Sequence, residues 1–452
     1  MTTLFETNCK SHRPLSAELT FPAIALLAIV ASLPGCRPAR EAETVRIETA
    51  VRFTDDEIAA IHTLSPLPPL APDPTNHYAD DPSAARFGQR LFYEPRLSAD
   101  GSIACASCHA YTKGFGDGGT LARGLGPLTR HSIAIWNVAY SDWFFWDGRA
   151  DTLWGQALEP LEEPAEHAMT RLAVVHVLHD DPLLRAEYEA IFGALPQLDD
   201  EVRFPPSGRP KDEDPAGAAA WAGMTDDDRH AVNVAFANVG KALAAYERKL
   251  VSRRAPFDVF VEGLLEGDAE KLTSLDESAQ RGLKLFVGRA NCRECHAGPN
   301  FSNGSFHSNG IPPTGGGEPN DAGRYEGIAR IKQSDFTAGG RYSDAGPEKR
   351  AASLDKVQSL EREKESWGTF KTPTLRNVAR SAPYMHQGQV ATLMDVLRHY
   401  NTLENSVLIG PHAETVLTPL GLTDDELADL EAFLHALTDE AIDPALTVPL
   451  SD

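Results

Sequence analysis

The run Cys105-Ala106-Ser107-Cys108-His109 and its second copy, Cys292-Arg293-Glu294-Cys295-His296, constrain the fold of this chain more than any other feature. Each reads Cys-x-x-Cys-His, the pattern for covalent attachment of a c-type haem. In that chemistry both thiols add to the porphyrin vinyl groups, and the adjacent imidazole lies under the iron as the proximal ligand. With 6 Cys and 15 His in 452 residues, such a run is expected about 0.003 times by chance, and it occurs twice. A zinc or thioredoxin-like cysteine pair would not require His directly after the second Cys. Two covalently bound haem c groups are therefore expected, each at the centre of its own core.

A helix is predicted to lead into each motif. Gly88-x-x-Leu91-Phe92 precedes the first and Gly282-x-x-Leu285-Phe286 the second, so an internal repeat accompanies the haem motifs. Asp81-Pro82 before SAARFGQRLF reads as a capped helix start. Between the sites, TDDDRHAVNVAFANVGKALAAYERKLV reads as a long amphipathic helix capped by Thr225, with Val232, Phe236, Val239, Leu243, Tyr246 and Leu250 on one face. Thr423 and Glu426 form a capping box for a last helix. Residues 198–218 read as loop, and the polar stretch 301–366 as a long irregular insertion. No β-rich region is apparent. The expected fold is mainly α: two cytochrome c-like haem domains in tandem, with long irregular loops, over residues 76–265 and 266–445.

The N-terminus points to export. Leu19 to Leu33 is an apolar run after Lys10 and Arg13, short for a membrane span and suited to a signal-peptide core. It ends in Leu33-Pro34-Gly35-Cys36, which resembles a bacterial lipobox. Residues 1–36 are accordingly expected to be a lipoprotein signal peptide, with Cys36 the lipidated residue; ordinary secretion with an incidental Cys is the alternative. Residues 37–75, with LSPLPPLAPDP, read as a flexible tether. The expected location is the periplasm, with membrane contact through a lipid anchor only. A formal net charge of −23 argues against nucleic acid as a partner. Four cysteines are assigned to haem and the others are Cys36 and Cys9, so no disulfide framework is expected.

Four further stretches carry a resemblance: LFYEPRLSADGSIACASCH, NVAYSDWFFWDGRADTLWGQALEPLEEPAEH, FVGRANCRECHAGPNFS and FKTPTLRNVARSAPYMHQG. Together they resemble the bacterial di-haem cytochrome c peroxidase family, and its MauG-like branch more closely. The resemblance implies an enzyme that reduces hydrogen peroxide, or uses it to oxidise a partner protein. One haem would meet peroxide and the other would pass or store electrons. The electron donor would be a cytochrome, a cupredoxin or a protein substrate.

The same resemblance implies roles for individual residues. At the first haem, classical members carry a distal His in the loop after the motif. Here residues 110–130 contain neither His nor Met, which is similar to the open MauG-like state. Glu166 matches the distal-pocket glutamate that moves a proton between peroxide oxygens; from composition alone it would be one more member of the solvated run Glu159, Glu162, Glu163 and Glu166. Gln156 matches a pocket amide, and Trp146 the tryptophan between the haems. At the second haem His296 is proximal and Tyr400 matches the sixth ligand. The alternative is that Tyr400 is a core aromatic and Met385 or Met394 ligates. A calcium ion between the haems is also implied, with Ser381 and Pro383 at the carbonyl positions. His131 stands where the family has an Asn ligand, and a neutral imidazole is a poor ligand for hard Ca²⁺. His131 could instead bond a propionate or a water. Two other functions compete with a peroxide-reactive enzyme: a di-haem electron-transfer cytochrome without turnover, and a haem sensor or structural lipoprotein.

Overall fold

The computed structural model describes residues 49–211, 213–316, 319–407 and 417–451. The expected signal peptide, Cys36 and the beginning of the tether lie outside the described residues.

Ten helices carry the argument: α1 (Asp55–His62), α2 (Pro82–Phe92), α3 (Leu153–Glu162), α4 (Asp226–Glu247), α5 (Pro256–Glu266), α6 (Glu277–Val287), α7 (Arg324–Gln333), α8 (Pro347–Gln358), α9 (Leu393–Thr402) and α10 (Asp424–His435). The fold is mainly helical, as expected. The one two-stranded ladder among the described residues pairs β1 (Phe306–His307) antiparallel with β2 (Phe370–Lys371).

The repeated Gly-x-x-Leu-Phe has a packing reason. Each motif-leading helix crosses a long helix at its glycine. A Cβ on Gly88 of α2 would lie 1.9 Å from the Ala242 carbonyl oxygen of α4, and one on Gly282 of α6 would lie 1.9 Å from the Asp429 carbonyl oxygen of α10. Only glycine lets the two backbones touch there. The Phe of each repeat, Phe92 and Phe286, is then driven into its core.

Two apolar cores result. The first gathers Phe87, Phe92, Trp136, Trp154, Phe236 and Tyr246, and the second Phe257, Phe260, Phe286, Phe301, Phe433 and Leu437. The helix capped by Thr225 departs from the amphipathic reading: every residue from Ala235 to Glu247 is buried. That stretch has no solvent face because α2 packs on one side and α3 on the other, where a Cβ on Gly240 would meet the Trp154 carbonyl oxygen at 2.3 Å. A helix enclosed on all sides need not alternate polar and apolar residues.

Three other expectations are corrected. The tether does not extend to residue 75: α1, with a Thr54–Glu57 capping box, inserts Ala60 and Ile61 into the second core, and Ser65 donates to Asp258 at 2.7 Å. The stretch 301–366 is not irregular throughout, since it contains α7 and α8. It crosses to the first half, where Arg324 donates to the Gly148 carbonyl at 2.6 Å and Phe336 and Tyr342 join the first core. Within 198–218, a helix Pro215–Gly223 begins. Two stretches also cross the boundary expected at 265/266. Helix α5 packs into the second core, while near the C-terminus the carbonyls of Ala445 and Val448 accept from Gln89 of α2 at 2.6 and 2.9 Å.

Candidate active site

Both Cys-x-x-Cys-His runs fold as tight turns in which the His amide donates to the first Cys carbonyl, at 3.0 Å for His109 and 2.9 Å for His296. Each imidazole is then fixed through Nδ1. His109 Nδ1 lies 3.1 Å from the Phe115 carbonyl and His296 Nδ1 lies 2.9 Å from the Phe301 carbonyl. A carbonyl can only accept, so Nδ1 carries the proton and the Nε2 lone pair is left for a metal. Phe115 and Phe301 adopt left-handed backbone, φ 58° and φ 50°, which is rare for a bulky residue. Both are fully buried, so packing holds the strained carbonyl at its imidazole. Burial lowers the pKa of His109 and takes that of His296 down to about 4. Both are therefore neutral at pH 7, the form that ligates.

None of the four motif cysteines is in a disulfide. Two thiols outside any disulfide beside a neutral imidazole with Nε2 available is the donor set of a c-type haem, and at the first site Cys108 and His109 line a cavity of about 420 Å³. The residues present fit the group.

That cavity brings together His109, Trp146, Gln156, Glu166, Ser381 and Pro383, which the sequence scatters over more than half its length. Glu166 has its carboxyl pushed up to about 7, chiefly by burial; Arg149 opposes the shift, and Glu163 and Glu159 add to it. Arg149 is itself held by Glu159 at 2.8 Å and by Asp147 at 3.3 Å. The loop after the first motif is stitched to the glutamate: Leu125 N–H donates to the Glu166 carbonyl at 3.0 Å and Gly126 N–H to the Ala165 carbonyl at 2.9 Å. A Cβ on Gly124 would lie 2.5 Å from the Ala165 oxygen. The loop, which contains neither His nor Met, is thus held close against the acid by backbone contacts.

A second internal repeat, not expected from the sequence, relates the two sites. In one register NVAYSDWFFWDGRADTL faces NVARSAPYMHQGQVATL. Asn137 and Asn377 are both left-handed (φ 54° and 58°). Each donates its N–H to a carbonyl just past a long helix, Leu250 and Leu437 respectively, both at 3.0 Å. Each also accepts from an N–H two residues further on, Ser252 and Asp439, both at 2.7 Å. Thr152 caps α3 and Thr392 caps α9 in the same way. In this register Trp146 faces His386, and Pro160 faces Tyr400. Pro160 lines the cavity, and its side chain has no atom that could ligate a metal. Self-alignment of the sequence would have found it.

At the second site Tyr400 is half-buried near Cys292 and Cys295, and desolvation takes its hydroxyl up to about 12. Its side-chain partner is Asn309, whose amide also donates to Met385 Sδ at 3.1 Å. Tyr400 and Met385 therefore converge on one amide. Met394 packs against the second apolar core instead.

Between the sites lies His131. Its Nδ1 is 2.8 Å from the Gly119 carbonyl and the Ser381 backbone lies close to its ring. Its N–H donates to the His386 carbonyl at 2.8 Å, and its own carbonyl accepts from Trp146 Nε1 at 2.9 Å.

A family model described as di-haem cytochrome c peroxidase matches residues 82–266. The cytochrome-c peroxidase IdrP1 of Denitromonas iodatirespirans is 33% identical over 405 residues, 87% of this chain and 93% of that protein. The methylamine utilization protein MauG of Methylorubrum extorquens is 32% identical over 370 residues, 81% of each. Among solved structures, a MauG-like protein associated with microbial copper homeostasis superposes with a TM-score of 0.59 at 25% identity, covering 85% of this chain and 98% of that one.

Proposed function

This chain belongs to the di-haem cytochrome c peroxidase family, and from that premise we propose how its residues divide the work. It is an oxidoreductase that reacts with hydrogen peroxide and draws on two haems. In our reading Cys105 and Cys108 bind the first haem covalently with His109 proximal, and Cys292 and Cys295 bind the second with His296 proximal. A haem held in such a site supplies one-electron redox chemistry and, where a coordination position is open, a place for peroxide.

The observation that carries the division is the asymmetry around Glu166. Its half-buried carboxyl, pushed up to about 7, shares a cavity with His109, Gln156 and Pro160. Near neutral pH such a group takes a proton from one peroxide oxygen and returns it to the other, so that water leaves. Gln156 orients the bound oxygens, and Arg149 keeps the carboxylate form accessible. Pro160 leaves the distal face without a competing ligand. Peroxide, two electrons and two protons give two waters. The electrons come from a cytochrome, a cupredoxin or an oxidisable protein, through the second site and Trp146. A pure electron-transfer cytochrome would have no use for a near-neutral carboxyl facing an unligated side.

At the second site Tyr400 is the proposed sixth ligand, with Asn309 orienting its hydroxyl. The chain acts in the periplasm, anchored to the membrane through lipid on Cys36. The apolar run ending in Leu33-Pro34-Gly35-Cys36 and the export that c-type haem attachment requires support that reading.

Glu166→Gln tests it. The variant keeps the size of the side chain and loses the exchangeable proton, so its peroxide reaction is expected to fall about 10²- to 10⁴-fold with haem content unchanged. In the parent the rate falls as pH drops below about 7, because the carboxylate is the form that accepts the proton. The variant loses that limb. Full activity in Glu166→Gln refutes the role.

A further inference from the structure

We propose that the imidazole of His131 takes the place of the calcium ion between the two haem sites, so that this enzyme holds its inter-site geometry without a metal.

An ion there would draw carbonyls from the two halves together, and His131 already reaches one in each: Gly119 through its ring and His386 through its main-chain N–H. His131 Nδ1–H donates to the Gly119 carbonyl at 2.8 Å, in the loop after the first haem motif. The Ser381 backbone, one of the positions at which the family resemblance puts a calcium ligand, lies close to the ring. The ring's single N–H in its neutral form is thus committed to Gly119, and His131 is buried, at 7% exposure.

The main chain of the same residue completes the bridge. Its N–H reaches the His386 carbonyl and its carbonyl holds Trp146 Nε1. Trp146 and His386 are the two residues that face each other in the internal repeat. One residue therefore fixes both, and through Trp146 the link between the sites.

The surroundings do not suit a hard cation. Calcium takes six to eight oxygen ligands, carboxylates prominent among them. Among the described residues there is no group of three or more His, Cys, Asp or Glu that could hold a metal. Asp147 and Asp321 are both engaged by Arg130, at 2.6 and 2.8 Å. Asp117, the carboxylate that acts on His131, already accepts from Gly119 N–H at 2.9 Å. An imidazole presents an N–H to carbonyls that a cation would want for itself.

The test is metal content and metal response of the full-length holoprotein, which do not depend on turnover. Protein purified in millimolar calcium and then dialysed against calcium-free buffer is expected to carry far less than one calcium per chain by mass spectrometry. EGTA is expected to leave its melting temperature and its haem EPR signals unchanged. One tightly held calcium per chain, or a shift of either signal on EGTA, overturns the proposal. The complementary variant is His131→Asn, which restores an oxygen ligand: it is expected to bind one calcium and to lose melting temperature on EGTA. A folded His131→Asn variant that ignores calcium also contradicts the proposal, because the ring would then not occupy a calcium position. The wild-type measurement decides even where the variant does not fold.

Discussion

The two halves are built alike up to the distal faces of their haem sites and differ there. Each has a glycine crossing under its leading helix, a left-handed Phe carbonyl on its proximal His, and an Asn clamp at the end of its long helix. At the distal face the same helix presents Pro160 in the first half and Tyr400 in the second. The first adds a near-neutral Glu166; the second adds Asn309, which meets both Tyr400 and Met385. On the proposed reading a repeated scaffold would hold two haems in the same way, and a few side chains would decide which one meets peroxide.

The strongest way to break this comparison is to make the first half resemble the second. Pro160→His gives the first distal face an imidazole in the position that Tyr400 occupies in its own half. Peroxide reactivity is expected to drop to about 1% of the parent or below, because the open coordination position is filled, and stopped-flow mixing with peroxide measures it. Undiminished reactivity would mean that residue 160 does not face the iron. The converse change, Tyr400→Phe, strips the second half of its proposed ligand. Its low-spin EPR signal is expected to be lost or replaced while haem content holds; an unaltered signal would assign the position to Met385.

Much of this architecture is legible in sequence where the signal is local. The haem motifs, the capped starts at Asp81, Thr225 and Thr423, and the missing ligand in 110–130 all lie within short windows, and Glu166 follows from family spacing. What was missed depends on contacts between distant segments. Pro160 acquires meaning only opposite Tyr400, once the two NVA stretches are laid on one another. Helices α7 and α8 have few apolar residues to betray them. They are held by contacts such as Arg324 on the Gly148 carbonyl and over the Trp143 ring, 4.2 Å from its centroid. Helix α1 did carry a readable sign, the Thr54–Glu57 capping box, but its eight residues sit beside a proline-rich run that reads as linker. The burial of α4 on all sides depends on Gly88 and Gly240, whose close contacts no periodicity records.

Weaker perturbations ask whether the shared scaffold is equally important in both halves. Gly88→Ala and Gly282→Ala each place a methyl against a helix carbonyl. Each is expected to destabilise the protein by about 1–3 kcal/mol or more, read as a lowered melting temperature of the holoprotein. A large effect in one half and none in the other would mean that the crossings are not equivalent. The smallest expected effect belongs to Glu247, a carboxyl at the end of α4 with one buried oxygen lacking a hydrogen-bond partner. Burial raises it to about 8. The folded protein therefore holds this proton more tightly than the unfolded chain, and the associated stability is lost as pH rises from about 4.5 towards 8. Glu247→Gln is expected to match the parent's melting temperature near pH 5 and to exceed it by a few degrees near pH 8. Parallel curves for the two proteins would show that Glu247 does not titrate in this range.

The most direct measurement is low-temperature EPR of the as-isolated, fully ferric protein. An open first site and a ligated second site predict one five-coordinate high-spin signal beside one low-spin signal, with peroxide removing the high-spin signal first. Two low-spin signals would contradict the account, because some side chain other than Pro160 would then fill the distal position above His109.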